Sequence, residues 1–445
     1  MKKRLTSGMI AVPEKKGISA MMHPMTPPTI SQPDSRQAVL RLLVTLALMA
    51  VGASGMFVVP VVLPAVQAEF GVARADASLP YTLLMIGFGV GGLLMGRLAD
   101  RRGVMLPLLI GAVGLGLGFV AAAQAQSIWA FALVHGVLIG LLGSSVSFAP
   151  LLADTSMWFV KHRGMAVAVA ASGNYLGGAI WPPIVQHFIE TVGWRQTYVG
   201  MGLFCGLSMA GLALLMRARP PVPPVTAPLV DASIHQATHS SFPRRRESSD
   251  LAHPFGMRPS QAQLLLCIAG VSCCVAMAMP QVHIVAYCSD LGFGAARGAE
   301  MLSLMLACGI ASRLISGFIC DRIGGLRTLL LGSTLQGIAL LLFLPFDGLV
   351  SLYVVAALFG LFQGGIVPSY AIIVREYFPA SEAGGRIGGV IMATLLGMAL
   401  GGWMSGKVFD LTGNYQAAFI NGIAWAVLNI GIAGFLLHRV KSARR

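Results

Sequence analysis

Charge is what this chain has least of. Only 11% of its 445 residues are Asp, Glu, Lys or Arg, against about 25% in a soluble globular protein, which excludes a large water-soluble enzyme. Acidic side chains are the scarcer sign, 17 against 31 Lys and Arg. None falls near the middle of an apolar block, so a carboxylate relay for protons through a membrane has no obvious members. The seven cysteines show no C-x-x-C spacing and sit mostly inside apolar blocks, where they read as small hydrophobes and not as metal or redox ligands. A G-x-x-x-x-G-K-[ST] phosphate loop is missing too, which argues against an ATPase. With no catalytic cluster either, the expectation is a protein that is not an enzyme and needs neither metal nor cofactor. The polar start of the chain has no short apolar core with a cleavage site, so it does not read as a secretory signal.

What the chain has in excess is apolar residues, 56% of the total, with a mean hydropathy of +0.76. They fall into twelve blocks near the length of a membrane-spanning helix, from Val39–Val66 to Ala417–Leu437. An all-α membrane protein follows, because a helix satisfies its own backbone polar groups in lipid. The blocks divide six and six around one long polar stretch rich in proline and serine. The expected organisation is a disordered cytoplasmic tail over 1–37, a six-helix bundle over 38–216, a flexible cytoplasmic linker over 217–260, a second bundle over 261–438 and a basic tail over 439–445.

The net charge of +14 is read as topology and not as nucleic-acid binding. With the N-terminus inside, the tails, the linker and the inner loops hold 26 basic residues and the outer loops hold 4. Basic residues gather on the cytoplasmic side. This predicts a multi-pass protein of a bacterial inner membrane with both termini in the cytoplasm and the lipid bilayer as its constant partner.

The two halves repeat each other. Pro60 and Pro280 are 220 positions apart, Phe70-Gly71-x-Ala73-Arg74 and Phe293-Gly294-x-Ala296-Arg297 are 223 apart, and Gly136 and Gly360 are 224 apart, as are Gly177-Gly178 and Gly401-Gly402. "GRLADRRG" and "GFICDRIG" repeat at offset 221. Parallel repeats that rock about a central cavity are the architecture of a carrier.

These residues carry a family resemblance. Twelve spans as 6+6, with G-x-x-x-D-R-x-G after spans two and eight, resemble the major facilitator superfamily over about Val39–Leu437. The motif residues are Gly96, Asp100, Arg101 and Gly103, then Gly317, Asp321, Arg322 and Gly324. The resemblance implies that they form gating latches at the cytoplasmic face. It is closer to the monocarboxylate-transporter and oxalate–formate-antiporter branch, through "VHIVAYCSDLG", "SRLISGFICDRIG" and "MSGKVFDLTGNYQAAF". Drug–proton antiporters of the superfamily usually carry an arginine in span four, where this chain has His135-Gly136.

In that branch an arginine of span eight binds the substrate carboxylate, and Arg313 occupies its position. An acidic partner found one turn earlier in some carriers is replaced by Gly309, and Met392–Trp403 offers no second cation. Arg313 lies eight residues before Asp321, roughly 12 Å into the membrane at 1.5 Å per residue. Such a cation is costly unless it meets water or a partner. A carboxylate substrate, an internal ion pair and snorkelling to the interface are its three possible uses. Other candidates for the cavity are Asn174 and Tyr175 in span five, Gln281, His283 and Tyr287 in span seven, Tyr81 in span two and Gln363 in span ten. His283 is also the one candidate proton carrier among them. The function expected is secondary transport of a small organic anion, most simply a monocarboxylate, with protons or a counter-anion as possible partners. An exporter of drugs or other metabolites on the same fold, and a membrane signalling protein without transport, are the alternatives.

Overall fold

The computed structural model describes residues 34–160, 163–218, 254–379 and 382–442, the side chain of Arg163 excepted. The expected N-terminal tail up to residue 33, linker residues 219–253, Lys161 and the last three residues lie outside this set. Every regular element among the described residues is helical. Eleven helices are long and apolar enough to cross a membrane: α1 (Arg36–Phe70), α2 (Arg74–Arg102), α3 (Met105–Ala123), α4 (Ile128–Trp158), α6 (Trp194–Leu215), α7 (Pro259–Asp290), α8 (Ala295–Ile323), α9 (Gly325–Leu342), α10 (Leu349–Tyr377), α11 (Ala383–Thr412) and α12 (Tyr415–Ser442). The twelfth, α5 (Arg163–Val192), is long enough at 30 residues but diluted by Asn174, Tyr175, Trp181 and Pro182-Pro183. The helices form two bundles, α1–α6 and α7–α12, with the chain entering and leaving on one face, called the termini face; the opposite one is the far face.

Local chemistry sets the ends. Ser35 and Ser127 cap α1 and α4, each accepting a hydrogen bond from a first-turn N–H, as orphan donors at a helix start require. Gly103 and Gly324, the last glycines of the two repeated motifs, have φ of +81° and +84°. Only glycine takes that conformation without strain, so each motif ends its helix and turns directly into the next. Two spans are irregular. α1 is broken at Ala53, and α4 loosens into a π-helical stretch, His135–Gly143, before a 3₁₀ turn at Ser144–Ser147.

Close glycine contacts join α2 to α4 and α8 to α10. A Cβ at Gly87 would lie 2.0 Å from the Gly136 carbonyl oxygen, and one at Gly360 would lie 1.9 Å from that of Met305. The equivalence of Gly136 and Gly360 in the repeat is therefore an equivalence in packing. Small residues at these crossings let helices meet where lipid offers no hydrophobic drive.

The ends of the two bundles depart from the expected boundaries. α1 starts at Arg36 and α12 runs on to Ser442. The end of the expected linker is anchored: Phe255 stacks on Tyr377 at 4.3 Å, and Arg439 donates to the carbonyls of Phe255 and Gly256. An aromatic ring among prolines and serines had a bundle to bury itself in, which composition alone does not register.

Candidate functional site

The two bundles meet along α2, α5, α8 and α11, and Arg313 lies on that seam. Its Nη1 donates to the Ala171 carbonyl of α5 at 3.0 Å, and its guanidinium sits over the Tyr175 ring, 4.4 Å from the centroid. Its Nε is buried without a hydrogen-bond partner, and among the described residues no carboxylate pairs with it. A guanidinium offers five N–H donors. Among the described residues no acidic side chain neutralises this one, so the expected internal ion pair is not formed here.

The absence of an acid at position 309 has a spatial cause. A Cβ on Gly309 would lie 2.5 Å from the Tyr175 ring. The ring therefore occupies the space a side chain at 309 would need, between Gly309 and the guanidinium one turn on. Asn174, beside Tyr175, is part-buried. Arg313 and Tyr175 form one group on the seam, a cation over a phenol ring, and Asn174 is the next residue of the same helix.

The remaining candidates stand elsewhere. Gln281 donates to Gln363 Oε1 at 2.9 Å, and the pair is buried between α7 and α10. The Gln363 Nε2 is left without a partner. Tyr287 packs edge-on against Tyr415 and Phe419 inside the second bundle. His135 donates from Nδ1 to the Phe131 carbonyl at 2.8 Å, and its Nε2 lies 3.2 Å from Tyr198 Oη, within an aromatic cluster of the first bundle. His283 and Tyr81 belong to the far face.

There the bundles are tied together. Asp410 of α11 accepts hydrogen bonds from the backbone N–H of Arg74 and Ala75, at 2.8 and 2.9 Å, capping the start of α2 from the other half of the molecule. The Arg74 side chain is 7% exposed. It donates to Tyr415 Oη at 2.7 Å and to Asp290 at 3.2 Å, and it lies over the Phe409 ring at 4.6 Å. His283, fully buried, has Nδ1 3.2 Å from Tyr415 Oη and Nε2 2.8 Å from the Gly402 carbonyl. Tyr81 packs on Gly402, 3.1 Å from the place a Cβ would take. Thr82 donates to the Ala399 carbonyl at 3.0 Å.

At the termini face the charged motif residues are not engaged. Asp100, Arg101, Asp321 and Arg322 are exposed. None makes a hydrogen bond or ion pair among the described residues; Arg322 stacks on Phe318 of its own helix at 4.1 Å. Gly96 and Gly317 have open space where a Cβ would stand. The helix start that a carboxylate does cap here is that of α9, where Glu376 accepts from Gly325 N–H at 3.1 Å, within one bundle.

Sequence reasoning missed Arg74, Asp290, Asp410 and Tyr415. Arg74 stood in the repeat and Asp410 and Tyr415 in the quoted "FDLTGNY", but their partners are more than 200 positions apart. It also counted Arg41 with the N-terminal tail. In the fold Arg41 is buried in a two-bond ion pair with Asp154, at 2.7 and 3.0 Å, under Trp158.

A family model described as Major Facilitator Superfamily matches residues 44–350 and 264–445. Monocarboxylate transporter 13 of Rattus norvegicus is 28% identical over 364 residues, covering 81% of this chain and 79% of the relative. The MFS-type transporter opdF of Penicillium oxalicum is 25% identical, over 76% of this chain and 75% of its own. The uncharacterized MFS-type transporter YhjX of Escherichia coli is 24% identical, over 71% and 74%. Among solved structures, a bacterial homologue of the human lysosomal transporter Spinster, in an inward-facing and unoccupied conformation, superposes with a TM-score of 0.65 at 13% identity, covering 92% of this chain and 98% of that one.

Proposed function

The chain belongs to the major facilitator superfamily, and from that premise we propose that it carries a small organic anion, a monocarboxylate in the first place, by alternating access. The observation that supports this most is Arg313: a cation on the seam between the halves, with donors left over and no carboxylate among the described residues to neutralise it. A planar guanidinium suits a carboxylate in two-point contact. It stays charged at any working pH, so the attraction does not depend on protonation. One fixed cation matches one negative charge. In this reading Tyr175 holds the guanidinium in place through its ring, and Asn174 and the Tyr175 hydroxyl orient the anion.

Two further observations lean the same way. A relative that shares four-fifths of this chain is named a monocarboxylate transporter. The excess of basic residues on the termini side argues for a cytoplasmic termini face in a bacterial inner membrane, with the far face outside. The motif residues Asp100, Arg101, Asp321 and Arg322 would then be latches that engage when the inner side closes, with Gly96, Gly103, Gly317 and Gly324 shaping their turns. The fungal relatives are named only as MFS-type transporters, which keeps export of another metabolite as the second reading.

The test is uptake of radiolabelled short monocarboxylates into proteoliposomes by the wild type and Arg313→Ala. Loss of at least about 100-fold in the variant is expected, since a buried charge left without its partner costs about 3–5 kcal/mol. Wild-type uptake with no monocarboxylate, or unchanged uptake by Arg313→Ala, would overturn the reading. A thermal-shift series with the same acids gives an independent check, because a ligand at 100 times its Kd stabilises the folded form by about 2.7 kcal/mol.

A further inference from the structure

The far-face contact contains an imidazole whose proton count can be read from its neighbours. His283 Nε2 faces the Gly402 carbonyl at 2.8 Å, and a carbonyl only accepts, so Nε2 carries the hydrogen. Nδ1 faces Tyr415 Oη at 3.2 Å. That hydroxyl already accepts from Arg74 Nη1 at 2.7 Å, and a guanidinium only donates. The one hydrogen of Tyr415 is thus directed at Nδ1, which accepts it. The chain runs Arg74 to Tyr415 to His283 to Gly402, crosses from one bundle to the other, and requires a neutral ring.

A second proton on His283 would break this order. It would turn the Tyr415 hydrogen away without a partner and set a second cation beside Arg74, in a site with no exposure to water. The other charged and titratable groups around the ring make no direct bond to it. Both Asp410 oxygens are taken up by the Arg74 and Ala75 N–H groups. Asp290 is bonded to Arg74 and partly exposed. Tyr287 presents its ring edge to Tyr415, and Tyr81 reaches Gly402 through its ring carbons.

We propose that His283 is a proton-binding site of this carrier, empty of its second proton when the far face is shut and filled when it opens to acid. In the open state water reaches the ring, and Nδ1 takes a proton near the ordinary histidine range of about 6.5. On closing, that proton leaves Nδ1 for water as the ring is drawn into the contact and Tyr415 donates in its place. By linkage, acid favours the open far face, and closure releases a proton. This rests on the carrier reading but not on the identity of the substrate.

The test needs no substrate. Hydrogen–deuterium exchange of the full chain in nanodiscs, corrected for intrinsic rates, is followed from pH 8 to pH 5.5 over the segments 70–82 and 402–418. The wild type should keep its protection from pH 8 to near 6.5 and then lose it progressively, by about tenfold at pH 5.5, while the core of α3 and α6 stays constant. In His283→Gln, whose amide keeps the donor to Gly402, the response should be flat. No pH response in the wild type down to 5.5, or a response that survives in His283→Gln and vanishes in Asp410→Asn, would each overturn the proposal; the last assigns the proton to a carboxylate. If His283→Gln does not fold, the presence or absence of the wild-type loss between 6.5 and 5.5 alone decides. Failure here leaves Arg313 untouched, since its test is uptake.

Discussion

The two faces of this molecule carry similar charges and use them in opposite ways. At the far face Arg74, Asp290 and Asp410 are bonded across the bundles. At the termini face Asp100, Arg101, Asp321 and Arg322 stand exposed and unpaired among the described residues. The same contrast appears inside the repeat. Arg74 and Arg297 follow the same Phe-Gly-x-Ala sequence, yet Arg74 is buried in a contact with the other bundle, while Arg297 makes an exposed pair with Glu300 three residues on, at 2.9 Å. A charge is engaged or free according to what the other bundle brings to it, and the alternating-access reading proposed above calls for latches at both faces that form in turn. The conformation described here is the one closed at the far face.

The strongest way to break this comparison is to wedge the closed face apart. A Cβ at Gly406 would lie 2.9 Å from the Ala75 Cα and N, backbone atoms that cannot turn aside, so Gly406→Val should hold the far face open. Exchange protection over 70–82 and 402–418 should fall by about 30-fold, or about 2 kcal/mol, and transport should fall with it; full protection in the variant would mean that this contact does not close the face. Next in size is the removal of the latch arginine. Arg74→Ala takes the guanidinium donor from Tyr415 and Asp290 and leaves the backbone bonds to Asp410 in place, and it should shift the balance toward an open far face by about tenfold, or about 1.4 kcal/mol, part of the ion-pair energy being lost to the exposed side of Asp290. Exchange protection over 402–418 reads this directly. The same change at Arg297, a solvent-exposed local pair, should leave both protection and thermal stability as they were. Equal effects at 74 and 297 would end the distinction between the two repeats.

The smallest effect on stability is expected at the other face. Asp100→Asn removes a carboxylate that bonds nothing in this conformation, so Tm should move by less than about 2 °C. Turnover should still fall, because the partner of that carboxylate is met only when the termini face closes. A drop in Tm as large as that of Arg74→Ala would show Asp100 to be engaged already.

Much of the architecture was legible before any coordinates. Blocks of apolar residues predicted every one of the twelve helices, and the offset between Gly136 and Gly360 was read as a repeat, to which the structure adds that both glycines stand at helix crossings. α5 kept its place although Asn174 and Tyr175 lower its hydropathy, because length and flanking loops carried the reading. The seam group was legible in part. Arg313 stood out as a charge in an apolar run, but the Tyr175 ring filling the place of a side chain at Gly309 could not be read from either stretch. His283 was singled out as a proton carrier among substrate contacts, and the fold places it instead in the far-face contact. Arg41 was hidden by its position, since a basic residue near a block's edge looks like loop whether or not Asp154 is waiting for it.

Lipid explains where the line falls. In a bilayer each helix must satisfy its own backbone and face hydrocarbon over most of its length, so spans, their number and their repetition are local properties that one strand of sequence determines. Which charged groups meet is not local. Arg74 and Asp290 are 216 positions apart in the chain and 3.2 Å apart in space, and only the packing of one bundle on the other decided that they pair while Arg313 meets no carboxylate among the described residues.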